Sequence, residues 1–398
     1  MDASLLGTER HLLCSDDGFS WRHFIPEETW HLSGKIKYAN DWCLDSLLKL
    51  SKIELDTSPE KRFVKAMSIV SSGSMVPWQL VMPSQNHKEY TKKIVEGVRG
   101  AMPKLCFDYF KGTWVHGNRV LRSLQRANVD RARYQSLVDE KVGNVSTVES
   151  FEPDQFNVAD EVRYNRFGTL TGRLTVEKGP MILTLNRAYR DLISASPGGH
   201  IVSIDFSALE VRVLLYESGG SCDDEDIYES IARQIKRERK QVKGAVISEL
   251  YGSSKKLLGK TLGMEGDELN AFVSEVKGYF DTKAIMVDKK TQFMNEGHVT
   301  NKYGRIVDVD NPQEHIFVNY FAQSTGCDVT MMGFAKIVSL LEKHAPNVRP
   351  LFMLHDAFIL DVPNEDLDIV KRIKHVKVKG YEQKFPLKLE ILSSNVLG

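Results

Sequence analysis

Two aspartates stand where a charge is hard to place. Asp205 ends the apolar run of Ile201, Val202 and Ile204, and Asp356 lies inside Met353-Leu354-His355-Asp356-Ala357-Phe358-Ile359. An ionised carboxylate in an apolar strand is costly unless donors or a cation meet it. Each acid also has a plain explanation of its own. Asp205 can cap a helix, with Ser207 and Glu210 following as in a capping box, and His355 can partner Asp356. If the fold brings the two acids together, a metal is the better account. Two hard carboxylates with few other ligands suit Mg²⁺, with Mn²⁺ as a substitute, because Mg²⁺ keeps waters and phosphates in its shell. Two such ions can clamp the attacking and leaving oxygens of a phosphoryl transfer.

Phosphate chemistry needs cations. Arg239, Lys243, Ile247 and Tyr251 recur every four residues and share one helix face. Two cations at that spacing repel mildly, and an anion between them, such as a triphosphate, removes the conflict. A solvated basic face is the plain alternative. Residues 231–260 hold nine Lys or Arg against two Glu, although the net charge of the whole chain is zero. A nucleic-acid partner would therefore meet local patches rather than a global field.

The elements that must position these groups are legible in outline. Residues 201–206 read as a buried strand and 351–362 as a strand pair. Residues 298–310 read as a hairpin turning at Tyr303-Gly304. Helices are expected over 118–141, 227–252, 267–296 and 312–343. Strands and helices mix without regular alternation, which predicts an α+β fold. Residues 1–95 form a separate mixed stretch in which Trp21, Trp30, Trp42 and Trp78 mark a small core. The 398 residues suit two or three lobes, and 42% hydrophobic with 27% charged residues is a globular composition. The five cysteines (Cys14, Cys43, Cys106, Cys222, Cys327) are scattered, which argues against a disulfide framework or a zinc site. No leader peptide and no run long enough to span a membrane is seen.

Taken in order, these residues resemble the polymerase domain of family A DNA polymerases, in a compact phage-type form. Thr169-Leu170-Thr171-Gly172-Arg173-Leu174 resembles the family's T-x-T-G-R-L segment. Asp205-Phe206-Ser207-Ala208-Leu209-Glu210 with Arg212 resembles motif A, and Arg239, Lys243 and Tyr251-Gly252 resemble motif B. Tyr303-Gly304-Arg305 resembles the D-G-R hairpin. Asn319, Gln323 and Thr325 resemble the N-x-x-x-Q-x-T helix, and His355-Asp356 resembles motif C.

The resemblance implies a right hand: thumb at 96–160, palm at 161–220 with 300–398, and fingers at 221–299. Residues 1–95 have no assigned role, and no full exonuclease domain is expected there. The implied partners are primer–template DNA and deoxynucleoside triphosphates, with a separate exonuclease or another replication subunit as further candidates and no membrane. The implied location is cytoplasmic, in the host if the source is a phage. Asp205, Asp356 and the Phe206 carbonyl are implied to hold two Mg²⁺ ions. Arg239 and Lys243 would grip the triphosphate, and Lys243 would protonate the leaving pyrophosphate. Ile247, Tyr251 and Glu210 would shape the nucleotide site, with Glu210 as a gate against a 2′-hydroxyl. Arg173, Arg305, Asn319, Gln323 and His355 would read the minor-groove side of the primer–template.

Three features depart from the family pattern. Ala357 replaces a second acid after motif C, Ile247 replaces an aromatic residue, and Ser248 replaces a glycine. The small residue after Asp356 and the pair Ile247-Ser248 also resemble single-subunit RNA polymerases, whereas Glu210 and the T-G-R-L segment point to DNA synthesis. A catalytically silent DNA-binding scaffold is the other alternative, and the intact Asp205, Asp356, Arg239 and Lys243 argue against it. An aliphatic side chain can pack on a base but cannot stack on it. Ile247→Phe is expected to change dideoxynucleotide incorporation and lower the nucleotide KM; unchanged values for both would exclude a nucleotide-site role for residue 247.

Overall fold

The computed structural model describes residues 11–15, 18–23, 32–33, 42–56, 58–70, 76, 78–142, 144–222, 224–251, 255–280 and 282–395. The chain divides into two compact units, Met1–Val115 and His116–Gly398. In the first, His11–Ser15 pairs antiparallel with Gly18–Arg22, and helices cover Leu44–Leu50, Lys61–Val70 and Ser84–Ala101. Its buried residues include Leu47, Leu50, Ile94, Val98, Phe110 and Trp114. Ser51 ties this unit together by accepting from the Cys106 amide at 2.8 Å. Of the expected tryptophan core, Trp30 and the side chains of Trp21 and Trp42 lie outside the described residues, and Trp78 is half-buried.

The second unit carries the chemistry. Its elements are β1 (Gly199–Phe206), α1 (Leu209–Glu217), α2 (Ile227–Ile235), α3 (Arg239–Tyr251), α4 (Gly266–Gly278) and α5 (Thr282–Glu296). There follow β2 (His298–Thr300), β3 (Ile306–Asp308), α6 (Glu314–His344), β4 (Arg349–Leu354) and β5 (Ala357–Pro363). The last two strands are β6 (His375–Lys377) and β7 (Lys384–Ser394). Five strands form one antiparallel sheet in the order β4-β5-β1-β7-β6. The mixture is α+β, as expected.

Side chains alternate across a strand, and β1 uses both faces. Ile204 and Phe206 are buried and point to α6, where the Phe206 ring meets Phe334 at 5.1 Å and Phe334 stacks on Phe358 at 5.0 Å. Gly333 lets α6 come this close, because a Cβ there would stand 2.7 Å from the Phe206 ring. Ser203 and Asp205 are half-buried on the opposite face.

Three expected helices are each broken in two. The 118–141 stretch divides into Val115–Ser123 and Arg131–Asp139. Between them Gln125 donates to the Pro350 carbonyl, Val129 donates to that of Asn157, and Asp130 caps the second helix by accepting from the Arg133 amide at 3.0 Å. Tertiary bonds there outweigh local helix propensity. The 227–252 stretch breaks at Lys236, whose left-handed φ of +52° closes α2. The 267–296 stretch breaks after Gly278. The hairpin, the strand pair and the long helix stand where expected, the helix covering Glu314–His344. Among the described residues no helix is long and apolar enough to cross a membrane. The side chains of Cys14 and Cys43 lie outside the described residues, and Cys106, Cys222 and Cys327 form no disulfide among the described residues.

Gly333→Ala tests the contact that seats the sheet on α6. The added methyl must displace a ring packed between Phe334 and Phe385. A loss of about 1–3 kcal/mol in unfolding free energy is expected, with an unchanged denaturant slope; wild-type stability would show that the ring moves freely.

Candidate active site

The antiparallel register sets Asp205 directly opposite Ala357 on one side and Lys388 on the other. Asp356 is the residue before Ala357, and its carbonyl accepts from the Phe206 amide at 3.2 Å. The two acids, distant in sequence, are thus neighbours at one end of adjacent strands. The turn between β4 and β5 is only His355-Asp356, and His355 adopts a φ of +55° to make it.

Both plain explanations of these acids fail. The cap position of α1 is Ala208, at φ +50°, and no side chain caps the helix. Ser207 instead donates its hydroxyl to the Glu225 carbonyl. His355 makes no hydrogen bond or ion pair with Asp356 among the described residues, and burial, then Arg173, pushes its imidazole toward neutrality. Asp205 Oδ1 is buried with no hydrogen-bond partner. Burial, and next the charge of Asp356, pushes the Asp205 carboxyl up to about 7. Burial also raises Asp356, and Glu210 adds to that shift.

Two desolvated carboxylates side by side, one with an orphaned oxygen, fit a divalent cation. Among the described residues no group of three or more His, Cys, Asp or Glu side chains converges to hold a metal.

Around the acids the expected groups converge. A cleft of about 60 Å³ is lined by Gly172, Arg173, Glu210, Gln323, His355 and Asp356 among others. Arg173 Nη2 donates to Glu210 Oε1 at 2.6 Å. Gln323, with its amide oriented to satisfy both ends, donates to the Thr171 hydroxyl and accepts from Arg173 Nε at 3.3 Å and Nη2 at 3.2 Å. Arg305 is only 5% exposed and stands behind this loop. Its guanidinium occupies the space a Cβ at Gly172 would take, and Gly172 has a φ of +84°. Asn301 accepts from the Tyr303 and Arg305 amides and donates to Asp328 at 2.6 Å, which fixes the β2–β3 hairpin on α6. Asn319 Nδ2 donates to the Leu250 carbonyl at 3.2 Å and so links α6 to α3.

The basic helix face is real. Arg239, Lys243 and Ile247 are exposed on α3, while Val242, Ala245, Val246 and Leu250 are buried behind them. The Tyr251 side chain lies outside the described residues. Arg239 pairs with Asp226 at 2.6 Å, and both Arg239 and Lys243 lie over the Tyr228 ring, at 5.7 and 5.8 Å. Burial, then Asp226 and Glu210, pushes the Tyr228 hydroxyl up to about 12. Tyr228 therefore stands between the Glu210 region and the basic face, a place that sequence reasoning missed. The signal was the capping Asp226, which accepts from the Tyr228 and Glu229 amides.

Arg212 is fully buried in α1. It donates to the carbonyls of Ser207 and Cys222, both at 2.9 Å, and to those of Asp224 and Glu225. One side chain thereby ties the segment leading into α2 to the end of β1.

A five-stranded antiparallel sheet with two acids at one end, backed by a long helix, is the core of a right-hand polymerase fold. The POL domain of Pol1 from M. smegmatis, in a complex with DNA primer-template and dNTP, has the same fold: TM-score 0.58 at 13% identity, over 84% of this chain and 78% of that one. A model of DNA polymerase family A matches residues 137–395, and the chain belongs to that family. It is similar to the thermostable DNA polymerase I of Thermus aquaticus, 25% identical over 261 residues, or 58% of this chain and 31% of the relative. It is also similar to the DNA polymerase of Bacillus phage SP01, 26% identical over 267 residues, or 54% of this chain and 28% of that protein. The chain thus spans about a third of the length of the curated relatives it matches.

The raised Asp205 carboxyl gives a pH signature in the metal-free protein. Its folded value, about 7, lies above the 3.8 of an ordinary aspartate. The stability it contributes is present at low pH and is lost as pH rises toward 7. In EDTA, Asp205→Asn should match the wild type near pH 4 and be the more stable protein at pH 8. Saturating Mg²⁺ should raise the wild-type melting temperature and not that of the variant. Parallel melting curves from pH 4 to 8 would remove the case for an uncompensated carboxylate.

Proposed function

We propose that this chain is a template-directed DNA polymerase that joins a primer 3′-hydroxyl to the α-phosphate of a deoxynucleoside triphosphate and releases pyrophosphate. The observation that carries the reading is the buried, unpartnered Asp205 carboxylate beside Asp356, within a chain of family A. The relatives named as DNA polymerases and the fold shared with a domain bound to primer-template and dNTP support it.

Asp205, Asp356 and the Phe206 carbonyl would hold Mg²⁺. Bound there, the ions lower the charge barrier between an attacking oxygen and a phosphate and steady the leaving group. The protein's own groups do the remainder. The sheet register fixes both acids, so little reorganisation accompanies catalysis. Arg239 and Lys243 share one exposed face and would take the β- and γ-phosphates, with Lys243 placed to give a proton to pyrophosphate. The Tyr228 ring beneath them limits where their chains can swing. Glu210 is held by Arg173 at the mouth of the cleft and would leave no room for a 2′-hydroxyl. Arg173 and Gln323 hold each other and would meet the minor-groove edges, where acceptors common to every correct pair test shape rather than sequence. His355 is near neutral and would do the same from the strand turn.

We take 96–160 as thumb, 161–220 with 300–398 as palm and 221–299 as fingers, working in the cytoplasm on replicating DNA. A second reading, RNA synthesis on the same fold, draws on Ile247-Ser248 and Ala357. The position of Glu210 favours deoxynucleotides.

Primer extension with Mg²⁺ and separate nucleotide pools is the direct test. The wild type should prefer dNTPs to rNTPs by about a hundredfold or more in kcat/KM, a clash of about 3 kcal/mol, and Glu210→Ala should erase most of that preference. Asp205→Asn should lose about a thousandfold in kcat, because the ions it holds stabilise the transition state by several kcal/mol. Undiminished synthesis by Asp205→Asn would sink the catalytic assignment, and an rNTP preference would move the chain to the second reading.

A further inference from the structure

We propose that Arg190 binds a backbone phosphate of the primer strand close to its 3′ terminus. This rests on reading the Asp205–Asp356 site as a nucleotidyl-transfer centre.

Arg190 lies in the 3₁₀ helix Arg187–Leu192, whose start is capped by Asn186 accepting from the Ala188 amide at 3.0 Å. Arg187, one turn earlier, forms an ion pair with Glu390 of β7. Glu390 is in register with Ser203 of β1, two residues before Asp205 and on the same face of the sheet. The short helix therefore overlies the face that carries the two acids, not the face covered by α6.

Arg190 is half-buried, and its side chain makes no hydrogen bond or ion pair among the described residues. Its Nε is buried without an acceptor. The acid it senses most, Glu390, is already paired with Arg187, and Arg187 itself repels it. Arg190 is also close enough to His355 to disfavour a charge on that imidazole. Arg190 thus sits in the short helix over the acid-bearing face, within electrostatic reach of both Glu390 and His355.

A buried donor without an acceptor and a permanent charge without a counter-ion are both costly. A phosphodiester relieves both, since a guanidinium fork matches two phosphate oxygens. A solvated surface arginine is the plain alternative, but it does not account for the buried Nε.

The geometry also selects which phosphate. The cations assigned to the triphosphate, Arg239 and Lys243, follow a segment tied to Ser207, at the end of β1 beyond Asp205. Arg190 lies in the short helix that Arg187 pins to Glu390, whose register partner Ser203 is on the other side of Asp205. A chain that presents its 3′-hydroxyl to Asp205 from that side would lay its terminal phosphates under Arg190.

The test uses the full chain and a fluorescent primer–template. Arg190→Gln should raise the primer–template Kd about tenfold and reduce the slope of log K against log salt by about one. The KM for dNTP should stay at the wild-type value. Arg190→Lys should keep the slope and recover part of the affinity. A primer with a neutral methylphosphonate at one of its last three phosphates should weaken wild-type binding and leave Arg190→Gln unaffected at that position.

An unchanged Kd and slope, a shift confined to the dNTP KM, or equal methylphosphonate losses in both proteins would overturn the proposal. If Arg190→Gln does not fold, the same primers on Arg190→Lys and wild type decide, through a methylphosphonate loss that is smaller for lysine or identical. Wild-type extension is scored separately: a wild type that binds DNA but extends no primer overturns the polymerase reading and leaves the binding comparison intact.

Discussion

Two like charges held side by side in a poor solvent govern this molecule. Asp205 is fixed in the middle strand of the sheet and Asp356 in the turn beside it, and the backbone bond from Phe206 to Asp356 keeps them together. Neither acid is answered by a protein cation at bonding distance. Burial raises both carboxyls, and nearby acids add to the shifts, Asp356 acting on Asp205 and Glu210 on Asp356, while Lys388, His355 and Arg173 offset them only in part. A sheet edge would let such groups turn toward water. A central strand with bonded neighbours on both sides gives them no such freedom.

That constraint explains what surrounds it. The opposite face of β1 is locked by the rings of Phe206, Phe334, Phe358 and Phe385, so the strand cannot roll to expose Asp205. Arg212 spends its hydrogen bonds on carbonyls at the end of β1 and before α2, which carries the strand's position into the basic helix α3. Arg305, with Asp328 and Asn301, does the equivalent work behind Gly172 and Arg173. Buried Arg212 and Arg305 serve as braces, whereas Arg239 on the basic helix face is exposed. Burial, not residue type, separates the two roles.

The acids were legible in the sequence because they violate a local rule: an acid amid Ile, Val, Leu and Phe has to be explained. The strand, the hairpin and the long helix were legible because their patterns agree with their packing. The breaks at 124–130, at 236 and after Gly278 were not, since tertiary bonds decide the first and a left-handed non-glycine residue the second. Lys236 takes a left-handed conformation without a glycine to announce it, and Gln125 surrenders its amide to Pro350. Arg305 looked like a DNA-facing cation by position, and only the fold shows it 5% exposed. Arg190 was invisible for the opposite reason, since nothing in its own neighbourhood sets it apart and its place comes from β7, distant in sequence, through the Arg187–Glu390 pair.

The backbone is strained on both sides of the charge pair. Ala208, three residues after Asp205, has a φ of +50°, and His355, just before Asp356, has a φ of +55°. A left-handed non-glycine residue costs roughly 1–2 kcal/mol, and each of these positions turns the chain immediately at an acid. A glycine at either position would relieve the strain and lose the side chain, and at 355 that side chain lines the cleft. With a raised carboxyl on each strand, the site concentrates two separate departures from what stability alone favours. Both persist because the surrounding structure over-determines them: the strand register fixes Asp205, and the packed rings behind β1 hold the strand in place.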